Sequence, residues 1–161
     1  MVPLLDSLEK NQDQDQVQIK IILVPIDGSS NSMKAAKYAI EIAKLQNAQI
    51  LCVHVITSLP YDYALSGPCV EQYLEDVENQ CESWFRSIIQ MANNTGIKNI
   101  KTTLFKDIRS TVDAIIKYSD DNSVDLIVTG TRGRTGVQRV LIGSVASGIV
   151  QHAHCTVLLV R

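Results

Sequence analysis

The feature that most constrains this chain is the stretch over residues 124–146, VDLIVTGTRGRTGVQRVLIGSVA. An apolar run at 126–128 leads into Gly130 and Gly133, and after nine further residues Gly143 and Ser144 open a new apolar periodic pattern. This order predicts a buried strand, a glycine-rich loop and the first turn of a helix. Such a junction suits an anion, because glycine permits close backbone approach and a helix start offers unpaired amides.

The spacing of the glycines excludes two common phosphate-binding loops. A Walker loop ends in glycine and lysine, and no glycine here is followed by a lysine at that spacing. The dinucleotide pattern GxGxxG is also absent. What remains is G-x2-G-x9-G-S, formed by Gly130, Gly133, Gly143 and Ser144. Because this pattern joins a strand to a helix, we interpret it as an anion-binding loop and not as a plain connector.

Positive charge lies in the same loop, at Arg132, Arg134 and Arg139. Any one of these arginines, taken alone, is more typical of a solvated surface. Together with the glycines they favour an anion as the ligand of the loop.

Outside this loop, the chain alternates between strand and helix patterns. We expect further strands at 19–26, 48–56, 98–105 and 156–160, the third at a sheet edge. Helices are expected after the Ser29 and Ser30 pair, over 70–94, up to about 120–121 and from Ser144, with 57–69 as a loop. Right-handed crossovers then give a parallel sheet covered on both faces. We expect an α/β fold, a single-domain, Rossmann-like, open five-stranded parallel sheet of order 3-2-1-4-5 with helices on both faces.

Several side chains are expected in the core. The first helix should turn a stripe of small and apolar residues to the sheet, and the fourth helix should bury three residues. Trp84 and Phe85 are interpreted as core anchors, and His54 as a packed, hydrogen-bonded residue without chemistry. The two helical sets are Ala35, Ala36, Ala39, Ile40 and Ala43, and Val145, Ile149 and Val150.

The predicted sheet places Asp27 beside the Gly130 loop, because ligands in open parallel sheets bind where the crossovers diverge. This placement favours a nucleotide, with its base near the first two strands and its phosphates on the loop. The residues alone leave two roles open for Asp27. It either accepts backbone amides in its own turn or contacts the ligand.

Composition excludes some classes of function. The formal net charge of −2 gives no electrostatic footprint for nucleic acid or an anionic membrane. No basic leader and no apolar stretch of membrane-spanning length is evident, so we expect a cytoplasmic protein. Cys52, Cys81 and Cys155 occupy apolar positions, and no CxxC pair occurs, which favours buried reduced thiols over zinc or disulfides.

The segment 124–161, with its glycine motif and the ending HAHCTVLLVR, resembles the universal stress protein family in its nucleotide-binding branch. The resemblance extends through ILVPIDGSSNS and ILCVHVI, and covers 20–161. We therefore expect a flexible tail at 1–18 and one nucleotide-binding domain at 19–161. Two departures concern fine geometry: Thr156 replaces a frequent proline, and Lys106 to Ile108 replaces a frequent glycine-aspartate turn.

The resemblance implies roles for individual residues. In similar proteins the adenine is held by backbone matching Pro25 and Val55, and the ribose lies near residues matching Asp27 and Gly130. The phosphates lie near residues matching Gly133, Gly143, Ser144 and the Val145 backbone, and Arg132 completes the predicted nucleotide-binding set. The implied ligand is ATP, or ADP or AMP, with Mg²⁺ or Mn²⁺ held through the phosphates and without a dedicated protein cage.

The resemblance also implies a homodimer formed through the C-terminal strand, 156–160. No catalytic residue is assigned, and we expect a regulatory protein with little or no turnover. Two alternatives stay open. One is a slow ATPase that uses Asp27 and the loop arginines, and the other is a dimeric interaction protein that binds no nucleotide.

Overall fold

The computed structural model describes residues 18–57, 67–108, 110–133 and 142–161, without the side chains of 67–70, 107 and 108. The predicted tail therefore lies almost wholly outside the described residues, and its flexibility stays a prediction. Strands and helices alternate in the order β1 (Ile21–Pro25), α1 (Ser30–Gln46), β2 (Gln49–Thr57), α2 (Gly67–Asn94), β3 (Ile100–Ile108), α3 (Thr111–Asp121), β4 (Leu126–Gly130), α4 (Ser144–His152) and β5 (Thr156–Val160).

The five strands form one parallel sheet of order β3-β2-β1-β4-β5, which confirms the predicted fold. Strand β1 pairs with β2 on one side and with β4 on the other. The crossovers therefore leave β1 in opposite directions, and a crevice opens between the carboxyl ends of β1 and β4. The edge position predicted for the third strand is correct, and β5 forms the opposite edge.

The core has two layers because alternate strand residues face opposite sides of the sheet. On one side, Ile22 and Val24 pack with the predicted stripe of α1 and with Phe85 and Ile88 of α2. On the other side, Leu23 packs with residues of α3 and α4, among them Ile115 and Ile149. All five stripe residues of α1 are buried, as predicted: Ala35, Ala36, Ala39, Ile40 and Ala43.

Some predicted bounds and burials are wrong. Helix α2 begins at Gly67, inside the predicted loop, and β3 runs from Ile100 to Ile108, later than predicted. Strand β3 follows β2 to its last residue, since Thr57 pairs with Ile108 beyond an irregularity in the register. Val150 is 49% exposed, because Ala146 and Ile149 already face the core and the next residue lies about 100° further round the helix.

No helix in the described ranges combines the length and apolar character needed to cross a membrane.

Candidate functional site

A cleft of about 440 Å³ opens at the carboxyl edge of the sheet, where β1, β2 and β4 end and α4 begins. Its volume falls in the range of small-molecule sites. All nine predicted site residues line it: Pro25, Asp27, Val55, Gly130, Arg132, Gly133, Gly143, Ser144 and Val145. The structure thus brings these residues together, and their contacts with a nucleotide stay a prediction.

The turn after β1 holds the Asp27 carboxylate by local hydrogen bonds. Its Oδ1 accepts the backbone N–H of Ser29 at 3.0 Å and the Ser29 hydroxyl at 2.6 Å. The turn-acceptor role left open by the sequence is therefore present. The second oxygen borders the glycine loop, since a Cβ added at Gly133 would lie 2.6 Å from Asp27 Oδ2. The carboxylate consequently belongs both to its own turn and to the wall of the cleft.

Helix α1 begins at this turn. Ser29 is its N-cap, with extended backbone angles, and its hydroxyl oxygen accepts the backbone N–H of Ser32 at 3.2 Å. This cap satisfies one of the amides left unpaired at a helix start and agrees with the predicted serine cap. The same hydroxyl lies 3.4 Å from the backbone oxygen of Arg132, so the turn also contacts the loop after β4.

The two described ends of the glycine loop are joined by backbone hydrogen bonds. Thr131 donates its N–H to Val160 at 2.8 Å, and the Thr131 carbonyl accepts the N–H of Gly143 at 2.7 Å. These bonds place the start of α4 beside the end of β4. Arg134, Arg139 and the intervening residues 134–141 lie outside the described residues.

The start of α4 faces the cleft without a side-chain cap. Its N-cap is Gly143, and its first intrahelical bond runs from the N–H of Ser147 to the Gly143 carbonyl at 2.9 Å. By helix geometry, the amides of Ser144, Val145 and Ala146 have no partner within the helix. All three residues line the cleft, where these amides and the positive end of the helix dipole favour an anion.

The three glycines of the motif have different surroundings. A Cβ at Gly130 would lie 2.8 Å from the backbone carbon of Asn31, so this glycine lets β4 pack directly against the start of α1. At Gly133 the Asp27 carboxylate leaves no room for a Cβ. At Gly143 a Cβ would meet the Thr131 carbonyl at an ordinary 3.5 Å. Of the three motif glycines, Gly143 alone has room for a Cβ among the described residues.

His54 and Trp84 lie at the rear of the site. His54 is buried and lines the cleft, and its Nδ1 lies 2.6 Å from the Ile26 carbonyl oxygen, which confirms the predicted packed, hydrogen-bonded histidine. Its ring meets the edge of Trp84 at a centroid distance of 5.4 Å. Trp84 in turn covers Gly28, where an added Cβ would overlap the indole. Trp84 packs against the core as predicted, and it also covers the turn that carries Asp27.

The sequence reasoning missed five hydroxyl-bearing cleft residues, Ser32, Thr57, Thr111, Thr129 and Thr131. Thr57, Thr111 and Thr131 lie at strand ends or helix starts on the carboxyl edge, which is the signal that could have found them. Thr131 Oγ1 is buried and has no hydrogen-bond partner within the described ranges. Such an orphaned hydroxyl is uncommon in a protein interior.

None of the cysteines whose side chains are described lines the cleft. Burial raises the pKa of the Cys52 thiol to about 12. Burial, with the neighbouring Glu82 and Glu78, raises the pKa of Cys81 to about 11. Both thiols are therefore protonated at neutral pH, and thiolates are the reactive form. These two cysteines are free and buried as predicted, whereas Cys155 is free and only partly buried.

With this geometry in place, comparison with known proteins identifies the family. The model of the Universal stress protein family matches residues 18–161. This chain belongs to the universal stress protein family. Universal stress protein MJ0531 of Methanocaldococcus jannaschii is 32% identical over 158 residues, covering 98% of this chain and 89% of that protein.

Solved structures of family members share the fold. Universal stress protein UspA from Lactobacillus plantarum superposes with a TM-score of 0.82 at 29% identity, covering 91% of this chain and 100% of that chain. A universal stress protein in complex with cAMP gives a TM-score of 0.63 at 23% identity, covering 90% and 98% of the two chains. Members from Archaeoglobus fulgidus and Arabidopsis thaliana, each 16% identical, were solved with dAMP and AMP. Adenine nucleotides are therefore the ligands of these fold relatives.

Proposed function

We propose that this chain is an ATP-binding regulatory protein that holds the nucleotide in the cleft between β1 and β4 and turns it over slowly or not at all. The observation that carries the proposal is the uncapped start of α4, whose amides face the same cleft as the Asp27 carboxylate. One end of the cleft is suited to phosphates and the other to a hydroxylated sugar.

The polarity of the cleft orients the nucleotide. Phosphate oxygens accept hydrogen bonds from backbone amides, so the phosphates lie near Gly143 and the first turn of α4. Gly133, which borders the Asp27 carboxylate, then lies where the sugar meets the phosphates. The Asp27 carboxylate repels phosphate but accepts hydrogen bonds from sugar hydroxyls, which assigns the ribose to its side of the cleft. The base then lies near Pro25 and Val55, at the ends of β1 and β2. The cAMP, dAMP and AMP complexes of the fold relatives support adenine as the base.

A triphosphate gains more from this site than a monophosphate, because each added phosphate brings acceptor oxygens to the amides of α4. Mg²⁺ or Mn²⁺ would bind through the phosphates and water. In the described parts of the chain, no group of three His, Cys, Asp or Glu side chains is placed to hold a metal. The ion would therefore arrive with the nucleotide.

We expect slow turnover because the described lining of the cleft offers a single carboxylate, Asp27, and a single arginine, Arg132. Hydrolysis needs a group that orients water and a cation that neutralises the developing charge. Asp27 is the one carboxylate among the described lining residues, and Ser29 already binds one of its oxygens. ADP release that Asp27→Ala abolishes would favour the slow ATPase.

We further propose that two copies pair through β5. This edge strand leaves one side of its backbone unpaired in the sheet, and its middle residues Val157, Leu158 and Leu159 are only partly buried. An edge of this kind invites pairing with a second strand. Sedimentation equilibrium of the full chain measures the mass directly.

The variant Gly143→Val tests the nucleotide site. A Cβ added at this position makes only ordinary contacts with the described residues, and we expect the valine side chain to occupy the approach to the α4 amides. We expect wild-type protein to bind Mg-ATP with micromolar affinity, the scale that a few charge-assisted hydrogen bonds support. Calorimetry should show at least about a hundredfold loss in the variant, equivalent to about 2.7 kcal/mol.

The control for this experiment is the thermal midpoint of each protein without nucleotide. The variant should have a slightly lower midpoint, because valine is a poorer N-cap than glycine, and only wild type should gain stability when Mg-ATP is added. Equal affinity in the two proteins would disprove the site. No binding by wild type would favour the interaction protein that binds no nucleotide.

A further inference from the structure

The Ser29 side chain connects three parts of the cleft wall. Its hydroxyl lies 2.6 Å from Asp27 Oδ1, 3.2 Å from the backbone nitrogen of Ser32 and 3.4 Å from the Arg132 carbonyl oxygen. Its backbone N–H also bonds to Asp27 Oδ1, at 3.0 Å. One residue thus contacts the carboxylate, the start of α1 and the glycine loop.

The distances decide how the single hydroxyl hydrogen is used. A serine hydroxyl has one hydrogen to donate and can accept through its lone pairs. The contact with Asp27 is the shortest and has a charged acceptor, so the hydrogen goes to the carboxylate. The oxygen accepts from Ser32, and the more distant Arg132 carbonyl receives no full hydrogen bond.

Both hydrogen bonds from Ser29 end on the same carboxylate oxygen. Rotation of the Asp27 carboxylate therefore breaks two bonds at once. This restraint keeps Oδ2 on the side of Gly133, inside the cleft wall. A carboxylate held in one orientation accepts sugar hydroxyls without first being ordered, which is the advantage of a preorganised site.

We propose that Ser29 is a positioning residue that sets the Asp27 carboxylate to accept the hydroxyls of a ribose, and so makes the cleft selective for ribonucleotides over their deoxy analogues. The inference rests on the proposed function, because it needs a nucleotide in the cleft. It adds a source of sugar selectivity and assigns it to a residue that caps a helix. The ligand class is a purine ribonucleoside phosphate.

The test separates positioning from helix capping. Ser29→Ala removes the hydroxyl and with it the N-cap of α1. Ser110 is a matched control, because it caps α3 in the same way, accepting the N–H of Asp113 at 3.2 Å. Ser29→Thr is the rescue variant, since threonine also carries a hydroxyl and also caps helices.

Calorimetry should compare Mg-ATP with Mg-2′-deoxy-ATP and Mg-3′-deoxy-ATP on the full chain. We expect wild type to favour ATP over at least one analogue by about tenfold, the effect of about one hydrogen bond to a charged group. Ser29→Ala should lower this ratio to about one to threefold, mainly through weaker ATP binding. Ser29→Thr and Ser110→Ala should keep the wild-type ratio.

The outcomes distinguish this inference from the proposed function. Wild type that binds ATP without discriminating against either analogue, or a Ser29→Ala variant with the wild-type ratio, would overturn the role of Ser29 and leave the nucleotide site intact. An equal fall of the ratio in Ser110→Ala would assign the effect to helix capping and would also overturn the role. Wild type that binds no nucleotide would overturn both.

Discussion

Asp27 lies at the carboxyl edge of the sheet, where the strands end, and Asp125 lies at the amino edge, where the strands begin. The two carboxylates accept hydrogen bonds from residues at very different distances along the chain. Asp125 precedes β4, and its Oδ2 accepts the amides of Lys20 and Ile21 at 2.7 and 2.9 Å, more than 100 residues away in the chain. Asp27 follows β1, and its Oδ1 accepts two bonds from Ser29, only two residues away. Asp125 therefore joins two strands, whereas Asp27 is anchored within its own turn.

The same contrast holds for two glycines with positive φ. Gly28, at the carboxyl edge, has φ of +77° and lies directly under Trp84. Gly96, at the end of α2 on the amino edge, has φ of +88°, and a Cβ added there would have no atom within 4 Å. The amino edge only has to reverse the chain, whereas the carboxyl edge is built around side chains that shape a cleft.

We expect the largest difference between the carboxyl and amino edges in the unfolding free energy lost when Gly28 or Gly96 is replaced by alanine. Gly96→Ala should destabilise by about 1 kcal/mol, because alanine is strained at positive φ. Gly28→Ala should cost about 2–4 kcal/mol, because overlap with the indole adds an overpacking term. Urea unfolding measures both values. Equal losses would show that Trp84 moves aside freely and that the turn at Gly28 is packed no more tightly than the turn at Gly96.

A smaller effect is expected at the two aspartates, where one variant should mainly lose stability and the other should mainly lose Mg-ATP affinity. Asp125→Ala should cost about 2 kcal/mol of unfolding free energy, because two strand amides lose a charged acceptor, and it should leave Mg-ATP affinity unchanged. Asp27→Ala should cost about 1 kcal/mol through the two bonds from Ser29, yet it should weaken Mg-ATP binding at least about tenfold.

Urea unfolding and calorimetry on the same preparations check the aspartate pair. A variant at Asp125 that lost nucleotide affinity without losing stability would reverse the roles of the two edges. An Asp27 variant that lost stability but kept its Mg-ATP affinity would also reverse these roles.

The fold was predictable because strand and helix periodicities recur along the whole chain. Helical crossovers implied parallel strands with helices on both faces, and the predicted order is one that such doubly wound sheets adopt. Ser29 marked a helix start through its capping chemistry, and Ser144 did so through the glycine spacing before it. The errors came from tertiary packing. β3 extends to Ile108 because β2 provides a partner that far, and Val150 is exposed because α4 turns other residues to the core.

The gathering of the nine predicted residues around one cleft was predictable, since the order of the sheet brings strand ends together, whereas their contacts with a nucleotide stay a prediction. The supporting contacts were not predictable. Trp84 covers Gly28 from a helix more than 50 residues further along the chain, and the hydroxyl of Ser29 lies 3.4 Å from the Arg132 carbonyl oxygen across the crevice between β1 and β4. Contacts of this kind depend on the packing of separate helices and loops, which no local pattern encodes.

The smallest expected difference in stability between the carboxyl and amino edges concerns two buried hydroxyl groups. Ser119 Oγ, near the end of α3, lies 3.7 Å from Cys155 Sγ, a weak but real partner. Thr131 Oγ1, in the cleft wall, has no partner among the described residues. A buried hydroxyl without a hydrogen bond costs about 1–3 kcal/mol. Thr131→Val, which keeps the shape, should therefore stabilise the unliganded chain by about 1 kcal/mol.

Ser119→Ala, by comparison, should destabilise the chain by about 0.5–1 kcal/mol, because it removes a bonded hydroxyl. Urea unfolding of both variants without nucleotide measures this difference in sign. A loss of stability in Thr131→Val would mean that the hydroxyl is satisfied, for example by a buried water, and would remove the contrast. A gain would mean that the cleft wall retains an unfavourable polar group, as sites shaped for ligands often do, and that stability at this edge has been exchanged for binding.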